Sequence, residues 1–319
     1  MRSYRLTAIL SVFITALTVS VADELVLVHV KGMEHMVQLG QQLRKLYMKD
    51  VNFLTNRYHS NEIYVQSTNY NRTIISAMSA LIGLYYDNTS RPTTDYPSGI
   101  WPAHFIPVAI HTLGPGDRSE MLQLLDPTSP CARHLWLWKK ATKTVEYTNL
   151  MSKSQVLLQH LSNATGIENL SLESLWFPYD IIYNELLDGR PTVITNDVFV
   201  AMENVKKLHD TTLSMLLASL NIKQKVLPLG PAFYGAAIIV ELWKTDDDKF
   251  MIKLAFKQEA DIINGIRSIN GTNGFVNITH YVKGCEGSFN YCSYEIIRRA
   301  ALRVYAEDYS KMQIDVLER

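Results

Sequence analysis

The sequence predicts an α/β protein with a mainly parallel core sheet flanked by helices and an inserted helical cap. Two observations carry this reading. Strand-like and helix-like stretches follow one another up to residue 112 and again after residue 195, whereas 113–195 carries helical patterns only. The expected organisation is therefore a signal peptide over 1–22, a core over 23–112 and 196–319, and a cap over 113–195. In open α/β sheets a site lies beyond the carboxyl ends of the strands.

The first 22 residues read as a secretory signal: Arg2 and Arg5 form the charged start, Leu6–Val19 the apolar centre, and Ser20-Val21-Ala22 a small-residue cleavage site. The apolar centre is shorter than the ~20 residues that a membrane-spanning helix requires. Ile63–Gln66 then reads as a short strand, Ser67–Asn71 as a capping turn, and Ile74–Tyr86 as the buried part of a helix. Asp87–Gly99 is a surface loop, and Leu113–Asp117 is a second break. The cap follows, with helical patterns at His134–Lys143, Ser152–Ser162 and Leu172–Leu187, the last interrupted by Pro178. Leu213–Leu220 reads as a buried helix, and Ala236–Trp243 with Phe250–Phe256 as a hairpin around Lys244–Lys249. Tyr294–Tyr309 is a helical stretch carrying Arg298, Arg299 and Arg303 on a solvated face.

Lysine plus arginine and aspartate plus glutamate number 31 each, so net charge is zero and no basic surface for nucleic acid is indicated. Asn-x-Ser/Thr sequons at Asn71, Asn88, Asn163, Asn169, Asn270 and Asn277 suit secretion. Glycans are expected on the last five, with Asn71 bare. No metal or cofactor is implied. The sequence has no His-Glu-x-x-His, Cys-x-x-Cys, Gly-x-Ser-x-Gly or phosphate-cradling glycine loop, and Asp246-Asp247-Asp248 lacks the spacing of a calcium loop.

Two stretches carry chemistry. His209 and Asp210 stand side by side before the apolar run Leu213–Leu220. Asp210 or Thr211 suits the N-cap of that helix. A histidine and an acid at a helix N-terminus also suit a phosphate ester, because free N–H groups and the helix dipole attract anions there. Arg72 falls in the first turn of the preceding helix. A cation there opposes the dipole, and its charge is met by a nearby carboxylate, by water reached along the side chain, or by an anionic ligand.

Ser67-Thr68-x-x-x-Arg72-Thr73-x-x-Ser76-Ala77, together with His209-Asp210-Thr211-Thr212, resembles the histidine acid phosphatases of the prostatic, lysosomal and insect venom type. Gly32–Gly40 with Leu43-Arg44 and Tyr47 resembles the family's first helix. Trp101–Thr112 resembles its Trp-x-Pro-x-Pro-Val-His-Thr stretch, and Pro231–Tyr234 with Val240-Glu241-Leu242 resembles the strand after the His-Asp helix. The resemblance implies a phosphoglycerate-mutase-like fold with a helical cap, whose Trp136, Trp138, Trp176 and Tyr179 either pack a core or line a pocket. It also implies phosphomonoester hydrolysis at acid pH through a phosphohistidine. Arg72 and His209 would bind the phosphoryl oxygens and Asp210 would be the proton donor. The implied partner is a phosphomonoester or phosphate, with no nucleic acid and no membrane anchor, and a homodimer is left open.

Two departures stand out. The family's nucleophile lies in Arg-His-Gly-x-Arg-x-Pro after the first strand, and this motif does not occur in the sequence. The expected strand, Leu25–Val30, is followed directly by Lys31-Gly32 and the first helix. Before His209, where the family has a strand, Val198–Lys207 is helix-like. The alternative reading is a secreted, non-catalytic relative that binds phosphoesters or a receptor. Cys285 and Cys292 resemble the family's local clasp and are expected to form a disulfide in an oxidising compartment, leaving Cys131 unpaired.

Overall fold

In a computed structural model the described residues are 4–14, 26–86, 93–102, 104–112, 136, 139–187, 192–206, 212–227, 235–257, 274–288 and 290–302. The first described element is a strand, β1 (Tyr4–Ile14), followed by a long helix, α1 (Val26–Arg44), that runs into a π-helical turn, Lys45–Asp50. A short strand, β2 (Val65–Ser67), leads into α2 (Asn71–Tyr85), and β3 (Ile110–Thr112) pairs with β2. Three helices follow: α3 (Val145–Thr165), α4 (Trp176–Leu187) and α5 (Asn196–Lys206). Then come α6 (Thr212–Ser219), the single turn α7 (Lys223–Val226), and the hairpin of β4 (Ala237–Thr245) and β5 (Phe250–Lys257). Two-residue strands β6 (Val276–Asn277) and β7 (Cys292–Ser293) pair with β5, and α8 (Tyr294–Leu302) is the last described element.

The α/β class is as expected, but the direction of pairing differs between sheets. β2 and β3 are parallel, with Val65 opposite Ile110 and Ser67 opposite Thr112. The larger sheet, in the order β1-β4-β5-β6 with β7 also on β5, is antiparallel in every described pair. For β4 and β5 the cause lies in the connection. Asp246–Lys249 is a tight turn, which joins only antiparallel neighbours, whereas a parallel pair needs a long crossover such as the one through α2 between β2 and β3. In the turn, Asp248 accepts an ion pair from Lys244 at 2.5 Å. Hydrogen bonds from Lys249 and Thr245 hold the Asp247 carboxyl down at about 2.

A second correction concerns the opening of the chain. Leu25–Val30 was expected as a strand, yet Val26–Val30 lies in the first turns of α1. Nothing between Val30 and Gly32 stops a helix, and a short segment with five apolar residues and His29 fits either structure by periodicity. The strand position beside β4 is taken by Tyr4–Ile14, part of the stretch read as a secretory signal, from Tyr4 opposite Thr245 to Ile14 opposite Ala237.

Side-chain alternation along β4 and β5 separates two cores. Ile238, Ile252, Leu254 and Phe256 pack with Leu213 and Leu217 of α6, with Ile222 and Val226, and with Ala300 of α8. The other face presents Ala237, Ile239 and Ala255 to Met36, Leu39 and Leu43 of α1 and to Ala80, Leu81 and Leu84 of α2. The sheet is thus covered on both sides. The α1–α2 pair packs closely enough that a Cβ on Gly40 would stand 2.0 Å from the Ala80 carbonyl oxygen. One on Gly83 would stand 2.0 Å from that of Val37.

A third cluster joins α3, α4 and α5 through Leu158, Leu161, Tyr179, Ile182, Tyr183, Phe199 and Met202. Because Phe199 and Met202 belong to it, the helical packing runs past the expected boundary at residue 195. Of the cap aromatics, Tyr179 is core, stacked on Tyr183 and Phe199, while Trp176 is exposed beside Phe177. Trp136 lies under the Lys140 ammonium at 3.7 Å, and Trp138 is outside the described residues.

Candidate functional site

The strand-to-helix turn between β2 and α2 builds the candidate site. The carboxyl ends of the parallel pair, Ser67 and Thr112, lie side by side, and the chain leaves β2 through three residues before α2 begins. Hydroxyl groups tie that turn together. Thr68 donates to the Thr73 hydroxyl at 2.8 Å, Thr73 donates to the carbonyls of Thr68 and Tyr70 at 2.9 Å, and Ser76 donates to the Arg72 carbonyl at 2.9 Å. The expected capping turn is present in position, but no side chain caps α2. Its N-cap residue is Tyr70, in extended geometry.

Arg72, in the first turn, is half-buried. Its guanidinium carbon lies 4.5 Å from the centre of the Tyr70 ring. Its Nε is buried and has no hydrogen-bond partner among the described residues. No described carboxylate forms an ion pair with it, so the nearby-carboxylate reading of this cation has no support among those residues. An orphaned guanidinium N–H at an uncapped helix N-terminus suits an anion, since dipole, free amide groups and side-chain charge favour one there.

His209 and Asp210 lie outside the described residues. The helix they were expected to precede is present as α6, beginning at Thr212 with Leu213 and Leu217 fully buried. His111 is exposed at the end of β3 and stacks on Tyr64 at 4.6 Å.

Cys285 and Cys292 form the expected disulfide, with Cα atoms 5.5 Å apart. Cys131, Asn88 and Asn270 are outside the described residues. Asn163 and Asn169 are exposed, as is Asn71. Asn277 differs: its amide donates to the Asn290 carbonyl at 3.1 Å, and its oxygen accepts from the Thr279 N–H at 2.8 Å.

Sequence reasoning missed one polar cluster. Glu241, on the α1–α2 face of the sheet, is only 2% exposed. It accepts from the Tyr47 hydroxyl at 2.6 Å and the Trp243 indole at 2.8 Å, and it pairs with the Lys253 ammonium at 3.2 Å. Burial, followed by the charge and hydrogen bond of Glu241, pushes the Tyr47 hydroxyl pKa far up. The cluster docks the π-helical turn onto the sheet. Its only sequence signal is a charge at a core-facing strand position.

Among the described residues no group of histidine, cysteine, aspartate or glutamate could hold a metal ion. No described helix is long and apolar enough to cross a membrane.

The chain is similar to lysosomal acid phosphatase of Xenopus laevis, with 29% identity in an alignment 280 residues long that covers 72% of this chain and 61% of that protein. Lysosomal acid phosphatase of Homo sapiens is 34% identical over 159 residues, covering 50% of this chain and 35% of the relative. The chain thus spans less than two thirds of the length of these relatives. Among solved structures, the apo form of Hafnia alvei phytase superposes with a TM-score of 0.45 at 15% identity, covering 85% of each chain. The sequence profile of the histidine phosphatase superfamily (branch 2) matches residues 4–185, more than half of the chain, starting at the first residue of β1 and ending within α4. The chain belongs to the histidine phosphatase superfamily, branch 2.

Proposed function

We propose that this chain is a secreted, acid-phosphatase-type protein whose ligands are phosphomonoesters and that, as its sequence stands, it binds them without turning them over. The observation that supports the reading is the half-buried Arg72, whose Nε has no partner among the described residues, at the N-terminus of α2, which no side chain caps. In this proposal Arg72 and His209 hold the phosphoryl oxygens, and Asp210 occupies the family's proton-donor position without a nucleophile to serve. The relatives' names favour a phosphoester over a receptor as the ligand and suggest a lysosomal or secreted location, and the leader-like first 22 residues suit entry to that route. With no Arg-His-Gly-x-Arg-x-Pro in the sequence there is no histidine assigned to attack phosphorus. Catalytic residues act as a unit, so a partial set does not give a proportionate share of the rate.

The test compares the full chain with its His209→Ala, Asp210→Asn double variant on an aryl phosphate at about pH 5, within the working range of a carboxylic proton donor. Equal background rates are expected, together with inorganic phosphate binding to the unaltered chain that Arg72→Ala abolishes. Turnover by the unaltered chain that the double variant loses would overturn the claim of inactivity. Phosphate binding that survives Arg72→Ala would overturn the site.

A further inference from the structure

We propose that Tyr70 is the positioning residue of this site: its ring holds the Arg72 guanidinium by stacking, the role a carboxylate more often fills. The proposal rests on the reading of Arg72 as phosphate-binding. The guanidinium carbon sits 4.5 Å from the ring centre, within cation–π range. Tyr70 is also the one described partner that the Arg72 side chain has.

The choice of an aromatic partner has a chemical consequence. A carboxylate binds arginine through its N–H donors, often two at once, and neutralises it. An incoming phosphoryl group would then have to displace that anion. A ring face attracts the cation through its quadrupole while leaving the in-plane N–H groups unspent. The orphaned Nε is what such an arrangement leaves behind.

The backbone explains how the contact forms two residues apart in sequence. Tyr70 is the N-cap of α2, with φ −119° and ψ 138°, so its side chain leaves a strand-like backbone while Arg72 is already helical. The Tyr70 carbonyl accepts the N–H groups of Thr73 and Ile74, both at 3.1 Å, and the Thr73 hydroxyl, which fixes the base of the ring. The ring is 50% exposed, and its hydroxyl makes no hydrogen bond among the described residues. Its contribution is therefore its face, and the hydroxyl is dispensable.

The test uses the full chain labelled with ¹⁵N-arginine. The Arg72 Nε–Hε resonance is assigned by its loss in Arg72→Lys, and inorganic phosphate binding is measured by calorimetry. The resonance should carry the upfield ring-current shift of a stacked guanidinium, keep it in Tyr70→Phe, and lose it in Tyr70→Leu. Phosphate affinity should hold in Tyr70→Phe and weaken on the order of threefold to fivefold in Tyr70→Leu. A resonance unmoved in Tyr70→Leu overturns the stacking. A resonance that moves while phosphate affinity does not overturns the positioning role. A chain that shows the ring-current shift but binds no phosphate upholds the stack and refutes the reading of Arg72. Tyr70 is half-exposed, and matched melting curves for the two variants separate these outcomes from unfolding.

Discussion

The two ends of α2 are built differently. From Ser79 to Tyr85 every residue but Ile82 is buried, Gly83 lies against the α1 backbone, and the buried Arg44 donates to the Leu84 carbonyl at 2.7 Å. From Asn71 to Met78 no residue is fully buried, no side chain caps the helix, and Arg72 stands without an anion among the described residues. In the last turn a cation meets free carbonyls, where the dipole favours it; in the first turn a cation stands where the dipole opposes it. One end of the helix is arranged for stability, while the other keeps a charge and a hydrogen-bond donor without a partner among the described residues.

Substitutions along the helix should therefore separate stability from binding. The largest effect is expected for Gly83→Ala. The new Cβ meets the Val37 carbonyl oxygen at 2.0 Å, so α1 and α2 must move apart. The gain of about 1 kcal/mol in helix propensity is outweighed by an overpacking penalty of about 3 kcal/mol or more. Urea unfolding should show the loss, and a midpoint unchanged from wild type would contradict the close packing of the two helices.

A smaller effect, of opposite sign, is expected for Tyr85→Phe. The Tyr85 hydroxyl is buried and has no partner among the described residues, so removing it should stabilise the chain by about 1 kcal/mol at neutral pH. Desolvation, then the charges of Glu62 and Tyr58, push its pKa up to about 12, against an ordinary 10.0, with Arg44 pulling the other way. A folded pKa above the unfolded one means that its stabilising share is whole below pH 10.0 and is lost as pH rises toward about 12. Thermal melts from pH 9 upward should fall less steeply for Tyr85→Phe than for the unaltered chain. Parallel slopes would show that Tyr85 ionises as freely folded as unfolded.

The smallest stability change belongs to Arg72→Leu. Removing a cation from a helix N-terminus should leave the melting temperature unchanged or raise stability by about 0.5 kcal/mol. Phosphate binding should disappear. A marked loss of stability would mean that Arg72 is held by a structural anion after all.

Some of this was legible in the sequence for definite reasons. The β4–β5 hairpin follows from two apolar runs that flank the polar turn Lys244–Lys249, and the argument for Arg72 needed only its place in a first turn. Other parts left no local trace. Leu25–Val30 is a short apolar run that fits a strand or a helix, and only its neighbours decide. The Glu241 cluster joins Tyr47 to a strand 194 residues away, and the charge at a core-facing strand position does not say which residue meets it. Tyr70 occupies an unremarkable place in the motif around Arg72, and its role depends on a backbone geometry that sequence spacing does not reveal.

β1 has a consequence for how the molecule is processed. While Tyr4–Ile14 is paired, β4 is an interior strand with both rows of backbone groups engaged. The residues that supply this cover are the same ones that read as a cleavable leader. A chain cut after Ala22 would emerge with the outer row of β4 bare along Ala237–Thr245, and an open row of N–H and C=O groups is a template for the next strand that meets it. A cut at that point would thus turn an interior strand into an edge strand among the described strands.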